Sequence, residues 1–266
     1  MSSALLGRLL RHNARILILL AGGLATIEIL LTRLGQQLES SGGLREALLR
    51  MIPPQVQSLF GPQIELLTFN GAVAFGFQHP ALLAASVGTV VAAATTPAAE
   101  RESGLMDLIL SGPVPRARYL AATLALVLIE AVLFPAALLG GAAAGLSFVK
   151  VASPLPWTRF IPAAAGMCAL LLCTGGIALW IGVTARRRGQ AVARCAALLL
   201  PLYIVEMLGQ VWPALGRFAP LSPFHYYQPV RTVLLEGSQA ADLAVLIGLA
   251  AITAAIAFVV FRRRDA

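Results

Sequence analysis

Six apolar stretches, each near the length that crosses a bilayer, constrain the fold of this chain more than any other feature. A helix needs about 20 apolar residues to span hydrocarbon, and the stretches cover residues 14–34, 79–97, 119–148, 161–184, 190–212 and 241–261. Of the 266 residues, 58% are hydrophobic and 12% are charged, the latter about half the share of a soluble domain. These features exclude an ordinary soluble enzyme and a disordered chain. They predict one all-α polytopic membrane domain over residues 1–266 with six transmembrane helices.

The segments outside these stretches have their own patterns. Residues 1–13 carry a leucine stripe with arginines beside it, which predicts an amphipathic helix lying in the membrane interface. Residues 35–78 are more polar, and Asn70, Gly71 and Gly76 interrupt their last apolar run, so we expect an interfacial segment on the outer side. Residues 213–240, rich in proline and aromatic residues, predict an outer re-entrant segment.

The basic residues predict the orientation. The chain has 20 Lys and Arg against 12 Asp and Glu, a net charge of +8. Thirteen of the basic residues fall in the N-terminal segment, the 100–118 loop, the 186–194 turn and the C-terminal tail, and seven fall on the other side. Because cytoplasmic loops are enriched in Lys and Arg, both termini are expected in the cytoplasm. No basic helix or aromatic-interleaved patch indicates nucleic-acid binding.

Motifs for chemistry on the chain itself are absent from the sequence. A nucleotide-binding P-loop needs a lysine after a glycine-rich run, and the single lysine, Lys150, lies in Phe-Val-Lys-Val. The three cysteines fit buried apolar positions rather than a metal or disulfide framework. We therefore expect no catalytic residue, no metal site and no cofactor bound by this chain.

The densest charge cluster follows the second apolar stretch and reads Glu-Arg-Glu-Ser-Gly-Leu-Met-Asp-Leu-Ile-Leu-Ser-Gly-Pro-Val-Pro-Arg over residues 100–116. It resembles the signature of permease subunits of ABC transporters of the type 2 exporter family. The positions in register are Glu100, Glu102, Gly104, Asp107, Leu108, Leu110, Pro113 and Arg116. Leu105 departs from the common Thr or Ser. Residues 221–227 and the arginine-rich end at 261–265 are also similar to that family.

The resemblance implies a function and a set of partners. Residues 98–116 would form a coupling helix docked on a cytoplasmic ATPase. Its polar contacts would come from Glu100, Arg101 and Glu102, with Asp107 close behind. Its packing face would be Leu105, Leu108 and Ile109, and Gly104 would allow a break in the helix. Two separate ATPase chains would carry ATP and Mg, so this subunit would not be an enzyme. A second copy or a related permease would complete the transporter in a bacterial inner membrane.

Three acidic residues, Glu28, Glu130 and Glu206, fall within or near apolar stretches. Charge inside a span is costly, so these side chains are expected to line a translocation path, to bond between helices, or to reach the interface. They also keep a rival interpretation open, an ion-driven carrier or a polytopic membrane enzyme that needs no ATPase. A further alternative is a membrane scaffold of the same fold that transmits ATPase movement without transport.

Overall fold

The computed structural model describes residues 3–40, 68–112, 114–149, 155–210, 212–234 and 239–263, and within these ranges the chain forms helices and turns but no strand. Most of the expected outer-side segment, residues 41–67, lies outside the described residues, as does Lys150. The all-α polytopic prediction is confirmed, because six helical stretches are long and apolar enough to cross a membrane.

The chain forms eleven α-helices in its described parts. The membrane-length helices are α1 (Ser3–Ser40), α2 and α3 (Phe69–Gln78 and Pro80–Ala94), α6 (Arg116–Leu146), α7 (Trp157–Thr184), α8 (Arg188–Gly209) and α11 (Ala240–Arg263). The short ones are α4 (Thr96–Glu102), α5 (Leu105–Leu110), α9 (Pro213–Gly216) and α10 (Pro229–Leu234), with 3-10 turns at Ala219–Leu221 and Pro223–Tyr226.

Consecutive spans run in opposite directions, which gives the bundle two ends. We call the end that holds the start of α1, helices α4 and α5, and the α7–α8 turn the basic end, because Arg186–Arg188 and the last arginines of α11 lie there. The opposite end holds α9, α10 and the 3-10 turns.

Helix α7 is the centre of the bundle and packs on α11, α6, α3, α10 and α8. Two glycines allow these close approaches. A Cβ on Gly175 would lie 2.5 Å from Val127 of α6, and one on Gly176 would lie 3.0 Å from the Ala250 carbonyl of α11. Small residues at these positions let the helices pack closely. The outward faces of α1, α8 and α11 are largely apolar and exposed, as faces toward lipid should be.

Two boundaries differ from the sequence prediction. The proposed interfacial helix 1–13 and span 14–34 form one continuous helix, since no proline or glycine interrupts residues 8–21. Residues 69–78 were expected in an interfacial segment before the second span. In the structure they belong to that span, because α2 and α3 form one 26-residue span joined at His79. Thr68 caps α2 by accepting a hydrogen bond from the Gly71 N–H.

The region expected as one coupling helix over 98–116 consists of two short helices. Gly104 has φ of 72° and separates α4 from α5, so the break expected at this glycine is present. The remaining spans begin and end within a few residues of their expected bounds.

Candidate functional site

The Glu100 side chain makes two hydrogen bonds at the basic end. One carboxylate oxygen accepts a hydrogen bond from Arg8 of α1, and the other accepts one from the Tyr119 hydroxyl of α6. Tyr119 in turn stacks on Phe261 of α11, with ring centroids 5.8 Å apart. Glu100 itself is 7% exposed. It therefore joins four helices inside the chain, and its expected contact with an ATPase stays a prediction.

The next two residues of α4 also bond within the chain. The Arg101 guanidinium donates to the carbonyls of Val183 and Ala185, at 3.3 and 2.6 Å, where α7 ends. The Glu102 carboxylate accepts from the backbone N–H of Arg188, at 2.9 Å, where α8 begins. A cation at a helix C-terminus and an anion at an N-terminus are both favourable with respect to the helix dipole. The charges of α4 thus attach it to α1, α6, α7 and α8.

Helix α5 presents the outward surface of this region. Met106 is buried against the core, Leu105 and Ile109 are half-buried, and Asp107 and Leu108 are exposed. Leu108 is 72% exposed, which is unusual for a leucine that is not facing lipid within a span. Of the eight residues expected to contact an ATPase, the exposed ones are therefore Glu102, Gly104, Asp107 and Leu108.

Glu28 lies where α1, α2 and α6 meet, toward the opposite end. Its carboxyl group occupies the space that a Cβ on Gly76 of α2 would need, and a Cβ on Gly141 of α6 would lie 2.8 Å from its Cβ. Glu28 is fully buried, and neither carboxyl oxygen has a hydrogen-bond partner among the described residues. The nearby Tyr227 hydroxyl donates to the Phe77 carbonyl at 2.7 Å. Burial and the Glu28 charge raise the pKa of Tyr227.

The structure does not bring the three acidic residues together. Glu130 is also fully buried, without a hydrogen-bond partner in the described part of the chain. Glu28 packs against Gly141 of α6, and Glu130 lies about 16 Å along α6 from that glycine. Glu206 pairs instead with His225, with Oε2 to Nδ1 at 3.0 Å. Glu206 follows Tyr203 by one helical turn, and His225 follows Phe224, and Tyr203 and Phe224 both line a cavity.

That cavity is an apolar cleft of about 220 Å³ between α3 and α8. It is lined on one side by residues of α3 between Leu83 and Val91, on the other by residues of α8 between Val192 and Tyr203, and at one end by Phe224. Val192 and Leu200 are 39% and 58% exposed, so the cleft opens at the surface of the bundle. Such a cleft fits the apolar part of a small molecule.

Sequence reasoning missed three residues of these sites. The sequence did not identify Tyr119 as a site residue, because one tyrosine at the start of a span is typical of an interfacial position. His225 stood within the family-like segment 221–227 without an assigned role, and its partner Glu206 is 19 residues earlier in the chain. Arg8 was expected only as one of the arginines beside the leucine stripe, and its bond to Glu100 is a contact across 92 residues.

Residues 6–262 match the family profile described as "Multidrug efflux system permease Rv1217c, C-terminal domain". A comparison with curated proteins found no match. The family match covers nearly the whole chain and agrees with the six membrane-length helices. The chain therefore belongs to the family of the multidrug efflux system permease Rv1217c C-terminal domain and is a membrane transport permease.

Proposed function

We propose that the chain is the transmembrane subunit of an ATP-driven ABC exporter of the type 2 family, and that it moves apolar or amphiphilic small molecules out of the membrane. Two separate cytoplasmic ATPase chains bind ATP and Mg, and a second copy of the permease completes the transporter. The basic end of the bundle, with both termini, faces the cytoplasm of a bacterial cell, in accordance with the distribution of arginines.

The observation that carries this proposal is the attachment of α4 and α5. A docking element transmits movement well when it is rigidly joined to the spans. Glu100, Arg101 and Glu102 bond to four membrane-length helices, while α5 extends beyond Gly104 with an exposed leucine and aspartate. In this mechanism ATPase closure pushes on α5, and α4 distributes that displacement to α1, α6, α7 and α8.

The cleft between α3 and α8 supports a path for apolar molecules. These helices touch each other little, whereas each packs on α7, so they can separate without breaking the centre of the bundle. A molecule that partitions into the bilayer can enter an apolar cleft open at the bundle surface directly from lipid.

The docking role of α5 is tested with Leu108→Ala. Leu221 at the opposite end is 73% exposed, against 72% for Leu108, so Leu221→Ala is a matched control. The wild-type chain and both variants are co-purified with a candidate partner ABC ATPase from the same genome. We expect Leu108→Ala to lose ATPase association about tenfold or more, the effect of removing a well-packed apolar anchor. Leu221→Ala should bind as the wild type does.

Equal association of both variants with the ATPase would show that α5 is not the docking element. If neither the wild type nor any variant binds an ABC ATPase of the same genome, the proposal as a whole is contradicted.

The buried carboxyl groups favour one alternative, an ion-driven carrier. Glu28 and Glu130 are fully buried without a hydrogen-bond partner in the described residues, and such groups in membrane proteins often move ions. Export driven by an ion gradient with no ATPase present, and lost in Glu130→Gln, would favour that carrier.

A further inference from the structure

The closed end of the cleft is aromatic and is backed by an acid–base pair. Tyr203 and Phe224 meet edge to face there, with ring centroids 5.2 Å apart. Glu206 lies one helical turn after Tyr203 on α8, and His225 directly follows Phe224. The Glu206 and His225 side chains are 3.0 Å apart. The pair is therefore adjacent to the aromatic wall at this end of the cleft.

The two members of the pair differ in accessibility. The Glu206 side chain is 11% exposed and the His225 side chain is 35% exposed. His225 belongs to a short 3-10 turn, while Glu206 is fixed on a 22-residue helix. A displacement of the turn would therefore free the carboxylate while it stays at the end of the cleft.

We propose that the cleft binds hydrophobic organic cations, with the apolar body between α3 and α8 and the positive charge at the Glu206 carboxylate in place of His225. The faces of Tyr203 and Phe224 add cation–π attraction. The cleft lining contains no charged side chain, so this carboxylate sets the preferred charge of the ligand. The proposal rests on the exporter function and names the substrate class.

His225 competes with the ligand, because its ring nitrogen already contacts the Glu206 carboxylate at 3.0 Å. Tyr226 faces the His225 ring, with centroids 5.4 Å apart. The elements packed around the pair carry other titratable groups, namely His79, Arg159, Arg217 and Asp242.

The test uses two probes of similar size and shape and opposite charge, tetraphenylphosphonium and tetraphenylborate. Binding to the full chain in nanodiscs is measured without any ATPase, and binding to empty nanodiscs is subtracted. We expect the wild type to bind the cation about tenfold or more tightly than the anion. Glu206→Gln should lose that preference. Glu39→Gln, an exposed acid at the same end, should retain it.

A second pair of variants tests the cleft independently of charge. A side chain on Gly88 would point into open space on the α3 wall of the cleft, and Gly22 of α1 has equally open surroundings. Gly88→Leu should fill the cleft and abolish binding of tetraphenylphosphonium, whereas Gly22→Leu should not change it.

A further variant tests the competition between His225 and the ligand. His225→Ala removes the side chain that pairs with Glu206, so it should bind tetraphenylphosphonium more tightly than the wild type does. Equal binding of cation and anion, or an unchanged preference in Glu206→Gln, would overturn the proposal. These results would overturn only the proposed ligand charge, because ATPase association tests the exporter function separately.

Discussion

At the scale of single residues, the main finding is that the densest charge cluster is partly internal. Glu100 and Glu102 are two positions apart on a short helix, yet the first is buried between Arg8 and Tyr119 and the second is exposed. The sequence identifies the cluster but not its orientation. A seven-residue helix has too few residues for the spacing of its apolar positions to show which face is buried.

Neutralising Glu100 should therefore destabilise the permease itself. Glu100→Gln removes a charge-assisted bond to Arg8 and leaves that guanidinium half-buried, with an expected cost of ~1–3 kcal/mol. Glu102→Gln, two residues away, should cost less, because this side chain is exposed and the glutamine amide oxygen can still accept from the Arg188 N–H. Thermal unfolding of the purified chain in detergent measures both. Equal Tm values for the two variants would mean that Glu100 does not join the helices.

At the scale of helices, close packing between α1 and α6 depends on small residues. Gly141 and Gly145 of α6 face Ala25, Glu28 and Thr32 of α1, a small-xxx-small arrangement of the kind that lets transmembrane helices approach closely. A buried glutamate in such an interface was not foreseeable from sequence. Gly76 looked like a helix interruption, yet it makes room for the Glu28 carboxyl.

Two adjacent glycines test this interface. A Cβ on Gly141 would lie 2.5 Å from the Ala25 carbonyl oxygen, while one on Gly140 meets nothing within 4 Å. Gly141→Ala should cost ~1–3 kcal/mol through overpacking. Gly140→Ala should be neutral or slightly stabilising, because alanine favours helix. The readout is again Tm in detergent, and a loss of the same size in both variants would contradict the packing described.

The α4–α5 joint depends on backbone conformation. Gly104 has φ of 72°, and no atom crowds its Cβ position, so Gly104→Ala introduces backbone strain of ~1–2 kcal/mol without a clash. We expect that strain to reorient α5 and lower ATPase association. Gly112→Ala, whose φ is not positive, is the control, and unchanged association in Gly104→Ala would show that the joint is not required.

At the scale of the whole molecule, the length of the apolar stretches was enough to predict the fold. Six spans and their alternation follow from about 20 apolar residues per crossing, and the structure has six such helices. The sites were less predictable. Glu100–Tyr119, Glu28–Gly76 and Glu206–His225 all join residues from different helices or segments, and such pairs depend on helix rotation, which hydropathy does not determine.

ATP-driven export by this permease is tested most directly by transport in proteoliposomes. The permease and the candidate partner ATPase are reconstituted together, and the flux of neutral, cationic and anionic apolar dyes is followed. We expect flux of at least one dye that requires both proteins and ATP and that an ion gradient alone does not drive. Flux driven by an ion gradient through the permease alone would contradict it.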